Sequence, residues 1–413
     1  MTTPAAPAPE RRSFAALRHP AFRSYFVFSA MAMAADNIEH VITYWIMFTK
    51  FQSPLLGGIA VITHWVPFLL FAFYSGALAD RFDPRRLIQI GMALFMLVSV
   101  AWAVIFLVGV AEMWHAIVLL ALHGIAGVLW QPASQLLVHE LVGSEHLQSA
   151  VRLNATGRYL GLLVGPALGA ALMLAAGPAL GLFINALIYL PLFVWLARTK
   201  HGAPGERAPA KPIGYADIGV GLRAVGSDRT ILAMVVLAGA ASFFISGGYH
   251  AQMPGFAHDL GQDRADFRYG MLLAADAAGA LLAGLILEGR GLLPSRTRSA
   301  IVLAMIWCTA LGAFALVGNY ALAVMLLFVA GFVELAFSAM AQTLVQVNAP
   351  PEVRGRVIGL FNMSALGLRT FSGVTIGLMG VVVGIHWSLA ASALGFFLVS
   401  VVLLAYVMRG RPA

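Results

Sequence analysis

Long apolar stretches, each closed by a short polar, Gly or Pro run, recur along the whole chain. They fall at about 22–48, 54–79, 87–109, 114–138, 147–174 and 178–197. A second set follows at about 230–254, 268–288, 299–317, 321–346, 356–383 and 387–408. About 20 apolar residues suffice for a helix to cross the hydrocarbon core of a bilayer. The pattern therefore predicts an all-α integral membrane protein with twelve transmembrane helices in two six-helix bundles, 22–197 and 230–408. Residues 1–21 read as an N-terminal cytoplasmic tail and 409–413 as a C-terminal one. Between the bundles lies 198–229, a polar, basic, Pro-containing linker. Within it Ile213, Ile218, Leu222 and Val225 can share one face, which predicts a short interfacial helix.

The two sets are related. A shift of 207 residues places Gly124 on Gly331, Gln135 on Gln342, and Leu137-Val138 on Leu344-Val345. The same shift puts Glu145 on Glu352 and Leu153 on Leu360. One offset holds across the junction of the fourth and fifth spans in each set. Parallel repeats about an axis along the membrane normal give that relation.

Composition agrees with a chain dissolved in lipid. Hydrophobic residues make up 60% and charged ones 11%, where soluble domains sit near one half and one quarter. The net charge of +8 falls in the loops, as expected of cytoplasmic loops rather than of a nucleic-acid surface, so no nucleic-acid partner is expected. With both termini cytoplasmic, that side collects Arg18, Arg23, Arg81, Arg85, Arg86, Arg152, Arg354 and Arg356, among others. The opposite side keeps Lys50, Arg264 and Arg268, which predicts an N-in, C-in topology. The single cysteine, Cys308, excludes a disulfide framework or a cysteine metal cluster within one chain. Residues 1–20 show no cleavable apolar core, so insertion is expected to begin with the first span.

Between the second and third spans stands Gly76-Ala77-Leu78-Ala79-Asp80-Arg81-Phe82-Asp83-Pro84-Arg85-Arg86. It resembles the G-x-L-A-D-R-x-G-R-R signature loop of the major facilitator superfamily, with Asp83 at the usual second glycine. Gly76 permits close helix contact. Asp80 suits the end of its helix and pairing with an arginine or a helix N-terminus. The resemblance implies a gating loop that latches the cytoplasmic ends of the second and eleventh helices. A degenerate copy, Gly284-x-Ile286-x-Glu288-x-Arg290, follows the eighth span.

Gly157, Gly161, Gly165-Pro166 and Gly169 form a four-residue ladder in the fifth span, which lets another backbone approach closely. It is similar to the G-P motif of family antiporters. That likeness implies packing on the eighth helix, at Gly270, Ala274, Ala277, Ala278 and Gly284. The fourth span departs from the multidrug pattern, carrying His123-Gly124 without the usual arginine. The segments Leu17 to Arg23 and Arg354 to Gly359 resemble the bacterial drug and siderophore exporter branch. The likeness implies a monomeric proton antiporter of the inner membrane that exports a small molecule by alternating access. It implies no cofactor.

Ionisable groups at mid-span are costly and default to functional candidates. Asp36-Asn37-Ile38-Glu39-His40 on the first span is the densest set, with Asp36, Glu39 and His40 on one helical face. Asp276 and Glu334 are single acids on the eighth and tenth spans, and Arg158 and Arg369 sit at similar depths in the fifth and eleventh. Arg158 is expected to pair with the first or eighth helix, and Arg369 with Glu334 or Asp36. His40, His64, His123 and His250 all map to the outer half of helices expected to border a central cavity. Proton or cation handling is the leading expectation for this set. A divalent-metal exporter and a proton-coupled importer remain alternatives on the same fold. No nucleophile–base set or phosphate loop supports an enzyme, and no local histidine pair marks a metal site.

Overall fold

The computed structural model describes residues 14–51, 54–199, 215–246, 248–260, 265–289 and 295–409. The expected tails at 1–13 and 410–413, linker residues 200–214, and Arg264 and Arg290 lie outside the described residues. So do the side chains of Pro166, Arg268, Gly270 and Glu288. Every regular element among the described residues is helical. In hydrocarbon a helix satisfies all its backbone polar groups within one segment.

Three helices open the chain: α1 (Pro20–Phe51), α2 (Pro54–Arg81) and α3 (Pro84–Val108). The next, α4 (Met113–Ile188), is broken at Gly143 (φ 67°, ψ 177°) and Gly177 (φ 78°, ψ 167°). These breaks divide it into 113–142, 144–176 and 178–188, the last continued by α5 (Leu190–Arg198). Positive φ costs a residue with a Cβ about 1–2 kcal/mol, so glycine makes both corners. Gly143→Ala is expected to lower unfolding free energy by about 1 kcal/mol, read from thermal melting in detergent. A variant that melts like the parent would show that corner to be slack.

The second half holds α6 (Tyr215–Ser227), α7 (Arg229–Phe244), α8 (Gly248–Asp259), α9 (Ala265–Gly289), α10 (Thr297–Leu316) and α11 (Tyr320–Asn348). Then α12 (Arg354–Asn362) runs through π-helical turns at Met363–Gly367 and Gly373–Leu378. Those turns flank α13 (Arg369–Ser372) and lead to α14 (Met379–Val383); α15 (Ile385–Arg409) closes the chain. Nine helices among the described residues are long and apolar enough to cross a membrane.

The expected seventh span is interrupted between α7 and α8. Its freed carbonyls are satisfied from the neighbouring π-helical region. The Ser372 hydroxyl donates to the Ser246 carbonyl at 2.9 Å, and the Thr375 hydroxyl to that of Phe243 at 3.1 Å. Broken helices survive at membrane depth when protein groups re-satisfy the backbone in this way. Helix α6 occupies the expected interfacial position in sequence. Val225 is buried and Ile218 packs on the same core, but Leu222 is exposed rather than on that face.

Two large apolar cores form. One draws on residues 225–403 and takes in Phe73; the other draws on residues 16–196 and takes in Ala339. Leu107, Leu174 and Val402 point outward, as a lipid-facing surface requires. The repeat is visible in the packing. A Cβ on Gly124 would meet the His64 carbonyl of α2, and one on Gly331 would meet the Asp276 carbonyl of α9. These equivalent glycines seat equivalent helix pairs.

The glycine ladder faces α1 and not α9, contrary to the expectation. Added Cβ atoms would meet Phe26 from Gly157, Met33 and Ala34 from Gly161, Asn37 from Gly165 and Ile38 from Gly169. Their i, i+4 spacing makes one stripe, and α1 offers it the small residues Ala30 and Ala34. Contact of 144–176 with α9 sits instead at one end, where Thr156 abuts Gly284 and Arg152 donates to the Leu287 carbonyl at 2.8 Å.

Candidate transport site and gate

Helix α1 presents Asp36, Glu39 and His40 within one turn, and the 113–142 segment sets His123 against two of them. The His123 Nε2 lies 2.7 Å from Asp36 Oδ1, and its Nδ1 lies 2.8 Å from Glu39 Oε1. Behind Glu39, the Ser99 hydroxyl of α3 donates to Oε2 and takes an N–H from Asn185 at 3.0 Å. The side chains of His123 and Glu39 are 1% and 3% exposed, while Asp36 keeps 20%. The chain of hydrogen bonds therefore starts deep in the bundle and ends at an accessible acid. Each imidazole–carboxylate contact holds one proton, so one ring and two carboxylates carry a net charge of minus one.

His40 extends this centre. Its Nδ1–H donates to the Asp36 carbonyl at 2.7 Å, which turns Nε2 toward His64 Nδ1 of α2 at 3.4 Å. Rings of His40 and His123 meet edge to face with centroids 4.7 Å apart. Asn37 is not part of the centre: its amide donates to the Met33 carbonyl at 2.8 Å, and its Cβ lies against the glycine ladder.

The four expected histidines divide. His250 of α8 joins Asp276 of α9 instead, Nε2 to Oδ2 at 3.2 Å, with the Tyr249 hydroxyl at 3.4 Å from the same oxygen. Among the described residues, Asp276 Oδ1, Glu334 Oε2 and Arg369 Nε are buried with no hydrogen-bond partner. The guanidinium of Arg369 lies 4.9 Å over the Trp65 ring of α2, a cation–π contact between the two halves. Among the described residues no ion pair within 4.0 Å joins it to Glu334 or Asp36, though Glu334 lies close enough to act on it through space. Arg158 lies 5.7 Å over the Tyr159 ring next to it. It lines a cavity of about 60 Å³ with Trp130, Gln131, Asn154 and Gln346.

At the arginine-rich end the signature loop closes the halves together. Asp80 Oδ1 accepts from the backbone N–H of Gly355 at 2.5 Å, and Oδ2 from that of Arg356 at 3.0 Å. Asp80 thus caps α12 from another helix, filling donors a helix start leaves open. Gly76 allows this approach, since a Cβ there would meet Gly359 Cα at 2.8 Å. Asp83 replaces a glycine with reason: it caps α3 through Arg85 N–H at 2.9 Å, and pairs with the Arg85 guanidinium at 2.5 Å. Arg85 also donates to the Thr199 carbonyl. Arg86 is exposed, and Arg81 is half-buried at the end of α2. A second tie between the halves lies deeper: Gln135 donates to Asn362 and accepts from Gln346, each at 3.0 Å.

The sequence offered the helix-1 acids with His64 and His123 as candidates, but not Ser99 behind Glu39 or the Trp65 face beneath Arg369. A lone serine or tryptophan in an apolar span carries no local signal. Register across three helices decides which of them meet.

The sequence profile of the family described as transmembrane secretion effector matches residues 11–412. Two relatives span nearly the whole chain. The multidrug efflux pump Tap of Mycolicibacterium fortuitum is 22% identical over 385 residues, covering 91% of this chain and 93% of its own. The enterobactin exporter EntS of Shigella boydii serotype 4 (strain Sb227) is 23% identical over 412 residues, covering 95% and 93%. Among solved structures, the human organic anion transporter MFSD10 superposes with a TM-score of 0.75 at 16% identity, covering 92% of this chain and 99% of its own.

Proposed function

A chain that belongs to the transmembrane secretion effector family of the major facilitator superfamily is a membrane transporter and not an enzyme, and we propose that this one exports a small amphipathic molecule, drug-like or siderophore, in exchange for protons. Twelve crossings with both termini cytoplasmic, in a bacterial inner membrane, complete the proposal, with a lipid-embedded monomer as the working unit. The names of two relatives, a multidrug efflux pump and an enterobactin exporter, favour outward movement.

The observation that carries the reading is the Asp36–His123–Glu39 chain, with one end accessible and the other sealed in the bundle. Holding charge in an apolar bundle costs about 2.5–3.5 kcal/mol per group at mid-span, which a purely packing role does not repay. A proton reaching Asp36 from outside weakens its hold on His123 and with it the joint between α1 and 113–142. Loss of that proton to the cytoplasm restores the joint. Substrate would lie between the halves, its apolar body against Trp65 and Trp130. Its polar end would satisfy the orphan atoms of Arg369 and Glu334.

Efflux of a fluorescent drug into everted vesicles tests the coupling. With an imposed pH gradient, the wild-type protein is expected to accumulate dye at least about tenfold faster than Asp36→Asn, a loss worth about 1.4 kcal/mol. Equal rates in the two, or a wild-type rate indifferent to collapsing the gradient, would remove the proton from the mechanism. Dye moving only out of the vesicles would reverse the direction.

A further inference from the structure

We infer that His40, His64, His123 and Asp36 form a binding site for a divalent transition-metal cation of the zinc class. The proton-exchange reading leaves His40 and His64 without work. Yet ligand atoms of the three imidazoles, from α1, α2 and α4, lie within 4.8 Å of one another. A tetrahedral ion with nitrogen bonds of about 2.0–2.1 Å sets its ligands about 3.3–3.4 Å apart. The separation of His40 Nε2 and His64 Nδ1 is 3.4 Å, the spacing such an ion requires.

The second observation is how the rings are held. Metal-binding imidazoles nearly always donate their other ring N–H to a carboxylate or a backbone carbonyl, which fixes tautomer and direction. His40 does so through Nδ1 to the Asp36 carbonyl at 2.7 Å. His123 does so through Nδ1 to Glu39 at 2.8 Å, and Glu39 is in turn held by Ser99, and Ser99 by Asn185. Both rings thus aim their Nε2 toward the same side. His123 Nε2 already meets Asp36 Oδ1 at 2.7 Å, so a carboxylate oxygen stands ready as the fourth ligand, the pair parting by about half an ångström as an ion replaces their shared proton. Glu39 stays behind as the orienting acid. A dication seated there balances the two carboxylates. Three imidazoles and one carboxylate suit zinc-class ions and not magnesium, which prefers an all-oxygen shell. His40 and Asp36 are 19% and 20% exposed, which gives an ion a way in, while the 1% exposed His123 forms the floor.

The inference goes beyond the export reading and is separable from it, since binding is measured without transport. Isothermal titration of Zn²⁺ into the purified full chain, carrying no polyhistidine tag, is expected to show one saturable site per chain. His64→Ala and His40→Ala are each expected to weaken it at least about 100-fold, with wild-type melting temperatures. Ser99→Ala leaves every ligand in place and is expected to weaken it about 10- to 100-fold through the orientation of Glu39. Excess Mg²⁺ should not compete. Absence of saturable Zn²⁺ binding, wild-type affinity in either histidine variant, or equal competition by Mg²⁺ would each overturn the site. If Zn²⁺ fails to bind while the gradient still drives dye, this inference falls and the export reading stands.

Discussion

Replacing His123 by alanine is expected to destabilise the protein by about 3–5 kcal/mol, the cost of breaking a buried ion pair by deleting one partner. The ring sits between Asp36 and Glu39 with both nitrogens engaged and 1% of the side chain exposed. Its loss leaves two carboxylates facing one another in an apolar bundle, with a cavity where the imidazole was. Glu39 cannot turn to water, being 3% exposed. Trp102 and Trp130, buried in the same half, report the transition through their fluorescence on heating in detergent. The double variant Glu39→Gln, His123→Ala removes the stranded charge as well. It is expected to regain about 1–3 kcal/mol of that loss, the coupling typical of residues in one network. A His123→Ala protein that melts with the wild type, or a double variant showing no recovery, would mean the three side chains are not one charged unit.

The acids of this centre were legible in the sequence because mid-span charge is rare enough to stand out. Their pairing was not. Periodicity puts Asp36, Glu39 and His40 on a single face of α1, but Glu39 points toward α3 and 178–188, and Asp36 toward accessible space. A face about 100° wide can serve two neighbours, and only the packed bundle shows which residue serves which. The ladder of glycines gives the same lesson. Four-residue spacing fixes that a backbone approaches closely, and the resemblance pointed to α9. The partner is α1, where Ala30 and Ala34 complete the contact. The signature loop was more readable because its chemistry is local at one end: a carboxylate at the close of α2 seeks open N–H donors, and the start of α12 supplies them. The interruption between α7 and α8 left no trace in hydropathy, since hydroxyls distant in sequence repair the break.

Asp80→Ala is expected to open the arginine-rich end without unfolding either half. The carboxylate makes two charge-assisted bonds to backbone N–H groups of α12, at 2.5 and 3.0 Å. Hydrogen bonds to a charged group contribute about 1.5–3 kcal/mol each. Part of that returns when water solvates the freed N–H groups, so the net loss of the closed form is taken as about 2–3 kcal/mol. At about 1.4 kcal/mol per tenfold, the ratio of open to closed protein rises about 30- to 150-fold. Ala339 of α11 reports the change, because it is 4% exposed and packs against the core of the other half. In a Cys308→Ser background, Ala339→Cys should react with maleimide faster by that factor when Asp80→Ala is added. Asp80→Asn keeps an acceptor but no charge, and should fall between. Tryptophan melting should fall by no more than the same about 2–3 kcal/mol, with the unfolding of each half otherwise unchanged, since Asp80 ties the halves together and contributes to neither core. Unchanged maleimide rates would show that the Gln135–Asn362–Gln346 bonds and the Gly76–Gly359 contact keep this end shut without the aspartate.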